Sequence, residues 1–255
     1  MTDENRNWDL SFMYNSFDDP KIDEDIKQAE DLIENLTTYR GKIKTAEISA
    51  QELLEVIEVS EKIAGLVGKP VSYGMLLFAQ ETTNEDFKSI YSKMEKKSVE
   101  IRNKLLWIEL EINAMSNETT EKYLTDPILV NYHHYIEVRR LNKPYVLSEE
   151  VEQVLGQKRL VGRDAWANFY NEFTAAFQFD IEIDGEKKKL STGEIRPLFM
   201  DPNPEIREKV FKTYYQKYAD NSIAVTHCYN NIWKNFGQNV KLRNYPTVMT
   251  AAHIR

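Results

Sequence analysis

The sequence predicts a mainly α-helical protein: an elongated multi-helix array with one long helical hairpin and one small β-hairpin at about residues 179–190. Three observations carry that reading. Apolar residues recur at helical spacing through most of the chain, most persistently from Phe87 to Met115. Helix-starting residue patterns recur just ahead of these stretches. The apolar period shortens to two at Phe179, Ile181 and Ile183, where a strand replaces a helix.

Asp18-Asp19-Pro20 has an acidic cap followed by proline at the first helical position. A helix over about Lys21–Tyr39 follows, closed by Gly41. Ser49-Ala50-Gln51-Glu52 has capping-box spacing, in which the serine oxygen takes one free N–H and the glutamate reaches back to another. Leu53, Ile57, Ala64 and Val67 continue that helix until Lys69-Pro70, where a break or kink is expected because proline lacks an N–H. A second piece is expected over Ser72–Gln80.

Phe87, Tyr91, Met94, Ser98, Ile101, Leu105, Ile108, Ile112 and Met115 then alternate in steps of four and three. Such a seam predicts one long helix packed along another. Leu106, Trp107 and Leu110 widen the apolar face, which favours an antiparallel hairpin within the chain over an intermolecular coiled coil.

Asp126-Pro127 opens a helix to about Leu141, and Asn142-Lys143-Pro144 breaks it. Ser148 caps a short acidic helix through Leu155. Gly162 precedes an aromatic helix in which Trp166, Phe169, Tyr170, Phe173 and Phe177 share one face and should be buried. In the hairpin, Asp184-Gly185 is the turn and Glu186–Leu190 the returning strand. Ser191–Glu194 is another capping box. Asp201-Pro202-Asn203-Pro204 then introduces a helix carrying Ile206, Val210, Tyr214 and Tyr218. The next carries Val225, Tyr229, Ile232, Phe236 and Val240.

Composition narrows the function. The chain has 255 residues with 33 basic and 41 acidic ones, a formal charge of −8. That disfavours sequence-independent nucleic-acid binding and anionic membrane surfaces, which need a basic face. The single cysteine, Cys228, excludes an internal disulfide framework and fits a reducing compartment. The opening residues are polar and acidic with no apolar run, so no secretory signal is read, and no stretch is long and apolar enough to span a membrane. The expected location is cytoplasmic.

Candidate chemistry is sparse. A helical zinc hydrolase needs H-E-x-x-H, which places two histidines on one face around the metal. The histidines are His133, His134, His227 and His253, and no pair has that spacing. His133 and His134 are adjacent, so on a helix they diverge by about 100°, and both read as partly exposed structural side chains. His227-Cys228 could be a base and thiol nucleophile, but adjacent helical side chains point apart, and a buried structural cysteine is the expectation. Phosphate-cradling glycine loops and a nucleophile elbow are absent. Pairs such as Glu149-Glu150 read as solvated helix faces. The Trp166–Phe177 stripe could stack bases only beside a basic groove, so core packing is expected. No catalytic, cofactor-binding or metal residue is assigned.

Four segments carry a family resemblance. They are Trp8-Asp9-Leu10-Ser11 with Tyr14 and Phe17–Pro20; Pro144–Glu152; Gly162–Trp166 through Phe173–Ala176; and Asp201–Arg207 with Leu242-Arg243-Asn244-Tyr245. Together they resemble the N-terminal part of an F-type oligoendopeptidase, in the thimet-oligopeptidase-like family of zinc metallopeptidases. The resemblance implies a cytoplasmic, mostly helical enzyme whose N-terminal helices wall a deep channel admitting short unstructured oligopeptides. It implies zinc in the full-length family enzyme, held by H-E-x-x-H and a later glutamate, with the motif glutamate as base. No residue here matches those positions, so no zinc is expected in this segment. Arg243 and Tyr245 are candidates to line the channel, with a helix-end charge and a packed ring as the alternative.

The resulting expectation divides the chain into a channel-wall region, 1–180, and the start of a peptidase domain, 181–255, stopping before the zinc motif. The alternative is a catalytically inactive helical scaffold or peptide-binding protein. The uncapped Met249–Arg255 end favours the first. Helices at 205–218 and 222–242 should then expose aromatic faces.

Overall fold

The computed structural model describes residues 8–254; residues 1–7, which hold most of the polar opening, and Arg255 lie outside the described residues. The described residues are mainly helical, with one two-stranded antiparallel sheet among them. It divides into two compact units. One comprises residues up to Lys158 and those from Val240 onward; the other is Arg159–Asn239.

The first unit begins with α1 (Pro20–Leu36), where Asp19 accepts from the Lys21 N–H and Pro20 holds the first helical position. Ile22, Ile26, Ala29, Ile33 and Leu36 form its buried stripe. A short 3-10 turn, Thr37–Tyr39, follows, and Gly41 takes a φ of 90° that a side chain would resist. The buried Glu111 carboxylate fastens this corner by accepting from the Gly41 and Ile43 N–H groups at 2.5 and 3.0 Å.

Ser49 and Glu52 form the expected capping box at the start of α2 (Ala50–Gln80). The expected break at Pro70 does not occur, and the separate piece at Ser72–Gln80 is the same helix. Interior proline costs about 3 kcal/mol. Val67, Tyr73 and Leu77 are buried within one turn or two of it, and each such side chain contributes roughly 1.5–3 kcal/mol. Tertiary packing therefore outweighs the missing hydrogen bond.

The packing partner is α3 (Glu85–Ala114), capped by Asn84, whose side chain accepts from the Asp86 and Phe87 N–H groups. The expected seam is a single helix and forms an antiparallel hairpin with α2. Phe78 stacks on Tyr91 at 5.9 Å, and Gly74 lies against the Tyr91 backbone. Ile90, Met94, Ile101, Ile108, Ile112 and Met115 are buried.

Unforeseen from sequence, α4 (Asn117–Leu124) follows, capped by Ser116. Its buried Tyr123 donates to the Ile48 carbonyl at 2.9 Å. The helix expected from Asp126-Pro127 begins there but winds first as a 3-10 turn, Pro127–Tyr132, before α5 (His133–Leu141). Tyr132, at φ −108° and ψ 2°, separates the two. α6 (Glu149–Val161) runs past the expected end at Leu155.

In the second unit, α7 (Arg163–Ala175) leads into β1 (Gln178–Ile183) and β2 (Glu186–Ser191). Asp184 and Gly185 take positive φ at 53° and 79°, as the tight turn requires. Phe179, Ile181 and Ile183 point into a small core with Phe177, Ile195 and Val210. The Ser191–Glu194 capping box starts α8 (Thr192–Ile195). α9 (Pro204–Asp220) lays Tyr214 parallel to Phe179 at 5.3 Å. α10 (Ser222–Leu242) contributes residues to both units, and a short α11 (Thr250–His253) follows.

One expectation here is corrected. The stripe on α7 forms a ladder of ring contacts, Trp166–Phe169, Phe169–Phe173 and Phe173–Phe177, but only Phe177 is buried and Phe169 is 44% exposed. The small core reaches only the Phe177 end of the row. The aromatic faces at 205–218 and 222–242 are exposed as expected at Phe211, Tyr215, Tyr229 and Trp233.

Candidate functional site

The sequence candidates do not converge. His133 is half-buried and His134 exposed at the start of α5, while His227 and His253 are exposed on α10 and α11. Among the described residues, no three His, Cys, Asp or Glu side chains are grouped to hold a metal. Cys228 is buried beside exposed His227. Burial pushes its thiol above the ordinary value, opposite to what a nucleophilic thiolate needs.

Arg243 and Tyr245 are the sequence candidates that the structure does join to partners. α10 ends in a Schellman motif: Asn244 adopts a φ of 52°, its N–H donates to Lys241 and the Tyr245 N–H donates to Val240. That reversal turns Arg243 onto the first turn of α6. Its guanidinium donates to both Glu152 oxygens, at 2.5 and 2.7 Å, and to the Tyr145 carbonyl at 3.1 Å. The Tyr245 ring packs on Tyr145 at 4.7 Å. Two segments 90 residues apart that both carry the family resemblance are thereby one structural cluster. Burial opposes ionisation of Glu152, yet the hydrogen bonds from Arg243 and the Leu147 N–H prevail and hold its carboxyl below the ordinary range. Glu149, expected to be a solvated face residue, accepts through both of its carboxylate oxygens from one terminal nitrogen of the Arg40 guanidinium at 2.8 Å.

The hairpin of α2 and α3 also leaves a cavity of about 280 Å³, closed on one side by Tyr135 of α5. Ile63, Val67, Ile101, Leu105 and Ile108 form its apolar wall, and Ser98, Arg102 and Glu109 its polar rim. Glu109 is paired with Arg139 at 3.0 Å. Sequence reading counted Ser98 as a seam position and missed the cavity, because a gap between two helices depends on which small residues, here Ala64 and Gly68, face it.

Comparison with known proteins finds similarity to one family. A family model described as Oligopeptidase F matches residues 111–179. The chain is 23% identical to Oligopeptidase PepF of Bacillus subtilis over 228 residues, covering 86% of this chain and 33% of that protein. It is 25% identical to an Oligoendopeptidase F homolog of Borreliella burgdorferi, covering 86% of this chain and 35% of that protein. The chain thus spans about a third of the length of these curated relatives. Its fold is that of crystalline oligoendopeptidase-F from Enterococcus faecium, with a TM-score of 0.79 at 24% identity over 91% of this chain and 45% of that one. Family model and curated relatives agree, and the fold accords with them: the chain is similar to the N-terminal portion of oligoendopeptidases of the F type.

Proposed function

We propose that this chain is the N-terminal segment of a zinc-dependent oligoendopeptidase that hydrolyses internal bonds of short, unstructured oligopeptides in the cytoplasm. Residues 1–180 act as channel wall and 181–255 begin the peptidase domain. The observation that carries this reading is the match along 86% of the chain to F-type oligopeptidases of which it covers only 33–35%. The outward aromatic faces of α9 and α10 support it, since rings such as Tyr229 and Trp233 suit burial against further chain.

Among the described residues no zinc donor set is offered: the histidines lie on α5, α10 and α11, and no three His, Cys, Asp or Glu side chains are grouped to hold a metal. We therefore assign no catalytic step to this segment. The part it plays is steric. Its helices restrict which peptides reach the reacting centre, and the Arg243–Glu152 cluster holds the turn into α6.

The test has two measurements. Purified 1–255 is incubated with zinc and a fluorogenic oligopeptide; stoichiometric zinc and metal-dependent turnover would overturn the assignment. The intact mass of the native gene product is measured in parallel. A mass well above 29.9 kDa supports the segment reading. A native product of that mass shifts the assignment to a catalytically inactive helical scaffold or peptide-binding protein, for which the cavity on α2 and α3 is the favouring feature.

A further inference from the structure

The cavity between α2 and α3 has a chemistry that its packing role does not require. Its wall is aliphatic, and its rim carries two donors on one helix face. Ser98 and Arg102 are four residues apart on α3, one turn apart along the same side. Neither side chain makes a hydrogen bond or ion pair among the described residues. Ser60 and Glu109, also in the lining, are engaged. Ser60 donates to the Val56 carbonyl at 2.6 Å, Glu109 is bound by Arg139, and Arg139 also lies over the Tyr135 ring at 5.2 Å. Among the described residues, the one unpaired charge of the lining is therefore the Arg102 cation.

An aliphatic recess with a single free cation and a free hydroxyl at its edge is complementary to a ligand with one apolar group and one anion. Guanidinium favours a carboxylate, whose two oxygens match its donor fork. The volume of about 280 Å³ lies just under the range of sites that enclose drug-sized molecules, so it suits one large side chain and its terminal group rather than an oligopeptide's whole length.

We propose that this cavity is a binding site for the C-terminal end of a short peptide whose last residue is apolar, with the side chain between α2 and α3, the carboxylate on Arg102 and the adjoining amide on Ser98. Choosing a peptide over another apolar acid rests on the oligopeptidase reading above. Hydrolysis of internal peptide bonds creates new C-terminal carboxylates, so the site would retain or sense a product end.

Binding to the full 255-residue chain is measured by calorimetry with N-acetyl-Ala-Leu, its C-terminal amide and octanoate. The expected result is binding of the acid, at least about tenfold weaker binding of the amide, and weaker binding of octanoate. Arg102→Gln, at an exposed position, should reduce affinity for the acid about tenfold, and Ser98→Ala several-fold. Gly68→Leu should abolish binding by filling the cavity; an added Cβ there meets nothing within 4 Å, so the fold has room for it. Absence of binding overturns the site. Equal affinity for acid and amide overturns the role of Arg102, and octanoate binding as tightly as the peptide overturns the peptide assignment. None of these outcomes depends on zinc or turnover, so the oligopeptidase reading stands or falls separately.

Discussion

Arg243 closes a two-oxygen ion pair with Glu152 although 91 residues separate them, and both side chains are mostly withdrawn from solvent, at 21% and 13% exposure. The pair anchors the end of α10 to the first turn of α6. Removing one partner leaves the other charge half-buried without its counter-ion. Arg243→Gln and Glu152→Gln should each cost about 2 kcal/mol, below the cost of breaking a fully buried pair because some solvent remains. The double variant should cost less than the sum. Urea denaturation of the three variants checks this.

The same pair sets an acid limit. The Glu152 carboxyl is held below its ordinary value of 4.5 in the folded chain. Its contribution is therefore complete above that unfolded value and is lost as pH falls through the lower, folded one. Stability between pH 5 and pH 3 should fall less steeply in Glu152→Gln than in the native sequence, as measured by thermal melts across that window.

Gly74 and Gly65 make an internal control on one helix. A Cβ at Gly74 would sit 2.9 Å from the Tyr91 Cα, whereas one at Gly65 meets nothing within 4 Å. Alanine is worth up to about 1 kcal/mol over glycine in a helix interior. Gly65→Ala should stabilise by roughly that amount. Gly74→Ala should destabilise by about 1–3 kcal/mol, because backbone rather than a flexible side chain must yield. Denaturation midpoints with opposite shifts are the expected reading.

Pro70 is tolerated because its neighbours pack, so replacing it should relieve the helix. Pro70→Ala restores an N–H to the α2 ladder and is expected to stabilise by about 1 kcal/mol, the regained bond outweighing the lost ring contacts. Hydrogen exchange of the amides around Leu66–Val71 should slow in the variant.

Cys228 is 1% exposed, and burial raises its thiol. Its reaction with a thiol reagent at pH 8 should be at least about tenfold slower in the native chain than in denaturant. A native rate equal to the unfolded one would contradict the buried position.

What could be read from the residues followed from local rules. The Ser49–Glu52 box, the Asp19-Pro20 start, the α3 seam and the Asp184-Gly185 hairpin depend on interactions within a few residues, and each forms as expected. Pro70 and the α7 stripe escaped because a neighbour decides them. Short α4 escaped because its polar surface hides a stripe of only Thr120 and Tyr123. In the candidate sites, Arg243 and Tyr245 were visible as residues, but Glu152 was not visible as their partner.

By itself, the sequence determined a mainly helical chain with one hairpin, an acidic surface, dispersed histidines and a likeness to F-type oligoendopeptidases. Periodicity, capping and composition are local or summed quantities, so one dimension suffices for them. Tertiary structure decided the uninterrupted α2, the Arg243–Glu152 anchor and the cavity beside Arg102. Each depends on side chains from helices far apart in sequence meeting at angström distances, and burial, not local preference, sets which of their charges are paired and which stays free.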